Sequence, residues 1–159
     1  MAEELTSWDE YLRAKIEIYL EGAWRCIFDG RERCELFEPL ARLFESHAES
    51  YIVTAWNPGE LRLSYEENLQ RNHELESMLR AVSGVQLFPA KGSSQDESYL
   101  EMGYLVVSQT PMFGLKEMTS IARLFDQEAI YVIEKGMLYC LSVGGDRKIE
   151  MAEIHRSYS

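Results

Sequence analysis

Hydrophobic residues along the chain change period several times, and each change marks an element. From Ile16 to Leu20 apolar and polar side chains alternate, which suits a half-buried strand better than a helix. Trp24–Phe28 predicts a second short strand, and Asp29-Gly30 behind it is the best type I′ turn signal in the chain. Tyr51–Trp56 is apolar on both faces and predicts a central strand, cut off at Asn57-Pro58-Gly59. Pro58 biases Asn57 toward extended backbone and ends that strand sharply. Further strands are predicted at Val85–Phe88, ended by Pro89, and at Tyr99–Val107. Ala129–Ile133 and Met137–Leu141 flank Glu134-Lys-Gly136 as a hairpin near the C-terminus.

The helical period rules the segments between. Ser7 and Glu10 have the spacing of a capping box that opens a short helix through Ala14. Pro39 suits a first helical turn, with Phe37, Leu40 and Phe44 near one face. Ser64 and Glu67 form a second capping box, starting a helix that reaches Val82 and stops at Ser83-Gly84. Gly114 precedes a helix with Leu115, Met118, Ala122 and Phe125 on one stripe. Residues 90–97 read as a polar loop able to act as a lid, and residues 144–159 as a charged, weakly structured tail. The order of elements predicts one α+β domain over residues 7–143, a mixed sheet with flanking helices and a C-terminal hairpin.

Composition narrows the function classes. The 159 residues are 46% hydrophobic and 27% charged, with only 4 Pro and 10 Gly, as in an ordinary globular domain. Sixteen Lys and Arg against 27 Asp and Glu leave a formal charge of −11. That balance argues against direct nucleic-acid binding, which needs a basic face. It suits plain solubility, a basic protein partner or nucleic-acid mimicry. Cys26, Cys34 and Cys140 form no C-x-x-C and His47, His73 and His155 are scattered, so no metal pattern emerges. The sparse, odd set of cysteines predicts free thiols in a reducing cytoplasm. No apolar leader and no run near about 18 apolar residues argue against secretion and a membrane span.

Polar residues inside apolar patterns are the informative ones. At about 100° per residue the Ser64–Val82 helix has Tyr65, Leu69, Leu75, Leu79 and Val82 on its apolar stripe. Asn68 and Asn72 fall within that stripe and Arg71 lies on its margin. Two carboxamides on a core-facing side either tie the helix to neighbouring backbone, such as the Asn57-Pro58 turn, or project into a cleft. Glu101 shares a strand face with Tyr99, Gly103, Leu105 and Val107, so its carboxylate is predicted to be half-buried. It either pairs with a base, Arg71 being the candidate, or serves as a general acid or base. Gln127 either caps the junction after the Gly114 helix or reaches the same sheet end as Asn57. The nucleophile-elbow, phosphate-loop, dinucleotide and zinc-protease motifs are absent from the sequence.

Thr54-Ala-Trp-Asn-Pro58, Glu67-Asn68 with Arg71-Asn72, Glu101 with its following Gly-Tyr-Leu-Val, and Phe125-Asp-Gln-Glu-Ala-Ile130 together resemble a small bacterial family of uncharacterised proteins, a domain of unknown function. The resemblance runs from about Tyr11 to Leu141. Tyr99 stands where that family shows tryptophan, Gly103 where it shows serine and Glu128 where it shows asparagine, so serine chemistry is not implied. The family implies a fold and a set of polar positions, and no activity.

Two readings of function follow. In the first, Asn57, Asn68, Arg71, Asn72 and Gln127 bind a small polar or phosphorylated, nucleotide-like ligand, with Glu101 as the only candidate acid or base and no cofactor or metal. In the second, the chain is an acidic interaction module, an adaptor, inhibitor or nucleic-acid mimic, whose polar core only fixes the fold.

Overall fold

In the computed structural model, residues 7–32, 34–46, 49–59, 61–96 and 98–154 are described. Helix α1 (Ser7–Arg13) leads into a hairpin of β1 (Lys15–Leu20) and β2 (Ala23–Asp29), followed by α2 (Glu38–Ser46) and β3 (Glu49–Val53). Next come α3 (Tyr65–Arg80), the long strands β4 (Val85–Ser93) and β5 (Leu100–Ser108), and α4 (Leu115–Leu124). Strands β6 (Ala129–Glu134), β7 (Met137–Ser142) and β8 (Lys148–Glu153) complete one eight-stranded sheet in the order β2-β1-β4-β5-β3-β6-β7-β8. This is the expected single α+β domain with its β6–β7 hairpin. Every ladder is antiparallel, so the sheet is not mixed.

The sheet is buried on both faces, which is why β3 and β5 are apolar at nearly every position. On one face Tyr51, Val53, Val106 and Val132 pack under Leu75 and Leu79 of α3 and Met118 and Ala122 of α4. On the other, Ile18, Ile52, Leu105 and Ile133 pack against Leu40, Ala41 and Phe44 of α2. Each such buried aliphatic side chain contributes roughly 1.5–3 kcal/mol.

Several sequence expectations are corrected. The β1–β2 turn is Glu21-Gly22, both at positive φ (53° and 79°), not Asp29-Gly30; Lys135-Gly136 repeats this geometry between β6 and β7 (50° and 78°). Strand β4 does not stop at Pro89. Over Val85–Pro89 it pairs only with β5, while β1 joins from Ala90 to Ser93, so Pro89 lies where β4 has one neighbour and its missing N–H breaks no second ladder. Much of the expected 90–97 loop is therefore strand. Part of the expected tail is strand too, since β8 pairs with β7 along Lys148–Glu153. Helix α3 carries its predicted capping box, Ser64 Oγ accepting from the Glu67 N–H at 3.2 Å. Its buried face, however, is Asn68, Asn72, Leu75 and Leu79, while Tyr65 and Leu69 are exposed. The cap expected at Ser7 and the side chains of His47 and His155 lie outside the described residues.

The cysteines are not three free thiols. Cys26 on β2 and Cys34 before α2 are joined, their Cα atoms 6.1 Å apart, and Cys140 alone is free and buried. The pair removes the thiol argument for a reducing cytoplasm. Among the described residues, no helix is long and apolar enough to cross a membrane.

Candidate functional site

Past Val53 the chain leaves the sheet, and side chains take over the backbone hydrogen bonds that a strand would have made. A Cβ at Gly103 would collide with the Val53 carbonyl, so glycine there lets the departing segment pass close over β5. The Ala55 N–H donates to Asn72 Oδ1 at 2.9 Å, and the Ala55 carbonyl accepts from Arg71 Nε at 2.8 Å. The Trp56 carbonyl accepts from Gln127 Nε2 at 3.2 Å, and the Asn57 N–H donates to Asn68 Oδ1 at 2.7 Å. Asn72 also donates through Nδ2 to the Met102 carbonyl at 2.7 Å, locking the segment to β5. The three carboxamide residues are buried: Asn68 is 1% exposed, Asn72 4% and Gln127 9%. Arg71 donates its other bond to the Phe125 carbonyl, so the expected Arg71–Glu101 ion pair does not form; two backbone carbonyls within reach take the guanidinium instead.

Asn57 itself departs from the extended geometry that Pro58 favours. Its φ is 45°, in the left-handed region, which asparagine tolerates better than most residues. Both ends of its carboxamide are used. Oδ1 accepts from the Leu63 N–H at 2.9 Å and from Asn68 Nδ2 at 2.8 Å, while Nδ2 donates to the Tyr99 hydroxyl at 3.0 Å. Tyr99 in turn donates to Glu101 Oε1 at 2.6 Å. A continuous chain of hydrogen bonds thus runs from α3, on one face of the sheet, to Glu101.

Glu101 opens onto a cavity of about 550 Å³ between α1 and the sheet face that α2 covers. Ile16, Ile52 and Ala90 supply apolar lining, Tyr11 of α1 and Ala14 just after that helix add to the wall, and Tyr131 and Cys140 enter from β6 and β7. Glu10, Arg13 and Arg62 line it as exposed residues and so mark its mouth. Burial pushes the Glu101 carboxyl up to about 7; the Tyr99 hydrogen bond opposes that rise and the negative charge of Glu10 adds to it. Burial, then the neighbouring Glu101 charge, raises the hydroxyls of Tyr11 and Tyr99, so both remain protonated donors. Burial likewise pushes the Cys140 thiol up to about 12, which disfavours its nucleophilic thiolate form.

The structure brings Asn57, Gln127 and Glu101 to the cavity lining. Asn68, Arg71 and Asn72 stand behind it, spent on the backbone of residues 55–57 and 102. Tyr99 was legible in the sequence, two residues before Glu101 on the same strand face. Tyr11 and Tyr131 were not, because only the folded sheet brings α1 and β6 together; the Tyr131 hydroxyl donates to the Tyr11 carbonyl at 2.8 Å. Among the described residues, no group of three or more His, Cys, Asp or Glu side chains is placed to hold a metal ion.

Residues 53–130, the span from the end of β3 into β6, match the family model described as "Protein of unknown function (DUF3293)". No curated protein and no solved structure matches the chain.

Proposed function

We propose that this family segment frames a binding site for a small polar, nucleotide-like ligand, whose hydrogen-bonding head reaches Glu101 and whose phosphorylated end stays at the mouth. The observation that carries the reading is a carboxyl held by one oxygen at the wall of a 550 Å³ cavity. Cavities of roughly 300–1,000 Å³ with few, well-placed polar groups are typical of small-molecule sites. The two guanidinium groups of the lining, Arg13 and Arg62, belong to exposed residues, where an anionic tail can meet them without entering an apolar interior.

In this reading the residues divide by task. Glu101 and Asn57 face the ligand side, with Gln127 at the edge. Asn68, Arg71 and Asn72 act on the ligand only by fixing the turn that aims Asn57. Among the described residues Glu101 is the one acid or base suited to chemistry and no activated nucleophile accompanies it, so binding is the assigned role. A thermal-shift screen of nucleotides and related metabolites tests the proposal, run on wild type and Glu101→Gln. A ligand that raises the wild-type melting temperature and fails to raise that of Glu101→Gln supports it. If no compound shifts the wild type, or every shift is equal in both proteins, the proposal is wrong.

A further inference from the structure

We infer that the ligand head is a cation-forming nitrogen edge, such as an amidine, a guanidine or an amino-substituted ring nitrogen, seated against Oε2 of Glu101. This rests on the cavity being a ligand site, and it names the class of head the cavity selects.

The argument follows the direction of each hydrogen bond. Asn57 Oδ1 faces two donors, the Leu63 N–H and Asn68 Nδ2, which fixes the carboxamide with its NH₂ toward Tyr99. The Tyr99 oxygen accepts that hydrogen, and its single proton is left for Glu101 Oε1. Oε1 is therefore an acceptor in both protonation states, and an acid proton can sit only on Oε2. Among the described residues nothing hydrogen-bonds to Oε2. It is not sealed away either, because Ser50 Oγ is the one buried side-chain polar atom among them without a partner. Oε2 thus faces the cavity.

Among the described residues, Lys91 of the lining is engaged by Glu17 at 3.9 Å and lies over the Trp24 ring, so no uncommitted cation stands inside to match it. The titratable groups around Glu101 are Tyr99 just before its strand, Lys91 of β4, Glu10 and Tyr11 of α1, Tyr131 of β6 and Cys140 of β7. Arg13 and Arg62 are exposed, the latter 5.6 Å from the Tyr99 ring centroid, and Arg71 is spent on carbonyls. A desolvated carboxylate without a cation is costly, so the empty site keeps its proton. An amidinium supplies the missing charge and an N–H donor together, and the tyrosine-rich lining suits a planar cation. An anionic head would meet the charge of Glu10 and would gain no counter-charge from Glu101 in either protonation state. The exchange balances: the protonated ligand enters, the N–H···Oε2 contact forms, and the displaced carboxyl proton leaves to solvent, up to one per ligand.

Calorimetry with benzamidine, 2-aminobenzimidazole and guanidinium against neutral benzamide, at pH 6, 7 and 8 in two buffers of different ionisation heat, tests this. For the wild type, at least one cationic probe is expected to bind roughly tenfold or more tightly than benzamide, with affinity rising and proton release falling as pH increases. Glu101→Gln is expected to lose that preference; circular dichroism checks that the variant is folded. Benzamide binding as tightly as every cation, or Glu101→Gln retaining the preference, overturns the inference. If neutral compounds bind and are not outdone by cations, the cavity reading stands and the cationic head falls. If nothing binds in either set, both fall.

Discussion

Asn68 holds Asn57 at two points: its Oδ1 accepts the Asn57 backbone N–H at 2.7 Å, and its Nδ2 donates to Asn57 Oδ1 at 2.8 Å. Because Asn57 lies at the turn that leads from β3 toward α3 and Asn68 in the first turns of that helix, this pair decides where the carboxamide of Asn57 points. Asn68→Ala strips a buried N–H of its acceptor and leaves space in a face that is 1% exposed. The expected cost is about 2–4 kcal/mol, read as a lower urea midpoint at unchanged slope. A loss under about 0.5 kcal/mol would show that the turn holds without Asn68.

Glu101 makes stability fall as pH rises. Its carboxyl titrates near 7 when folded and near the ordinary 4.5 when unfolded, so between those values the native state binds the extra proton. The contribution is fully present below pH 4.5 and lost by the time pH passes 7. Its size is roughly 3 kcal/mol. Glu101→Gln removes this dependence while keeping an acceptor for Tyr99. Unfolding curves at pH 5 and pH 8 are expected to show the variant gaining on wild type at the higher pH; equal differences at both would count against a raised carboxyl.

Tyr99→Phe separates the relay from the cavity. The phenolic hydrogen bond holds the Glu101 carboxyl lower than burial alone would, so its loss moves the titration above about 7. Carbon-13 NMR of the labelled carboxyl reads the midpoint directly. A midpoint that falls or stays fixed would mean that the hydroxyl does not donate to Glu101 in solution.

Thiol counting tests the Cys26–Cys34 link. Denatured without reductant, the protein is expected to titrate one thiol, Cys140; after reduction it should show all 3 cysteines. Cys34→Ser is expected to cost about 2–3 kcal/mol, in line with closing a short loop. Three thiols in the unreduced, denatured protein would refute the link.

Much of the fold was legible because its signals are local. The capping box at Ser64, the two-faced apolar run of β3 and the Lys135-Gly136 hairpin each depend on neighbours in sequence. The polar site was legible only as an anomaly. Asn68, Asn72 and Glu101 stand out as polar groups at apolar positions, yet sequence spacing does not say whether a buried carboxamide meets backbone or ligand. The partner of Glu101 was misjudged because an arginine is the obvious counter-charge, whereas carbonyls 55 and 125 lie closer to Arg71. The continuation of β4 through Pro89 and the strand at β8 were missed for a related reason: β4 is recruited by β5 and β1, and β8 by β7, partners that lie far off in sequence or at a polar edge.

The two outer strands set an opposing limit on acid conditions. Strand β8 presents an unpaired backbone row flanked by exposed Lys148, Glu150 and Glu153, charges that discourage another chain from adding to the sheet. Near the isoelectric point of about 4.8 the molecule's net repulsion vanishes. The pH range that favours the Glu101 proton is therefore the range in which native molecules attract one another most. The Glu101 contribution to folding and the colloidal solubility of the molecule therefore pull in opposite directions as pH falls.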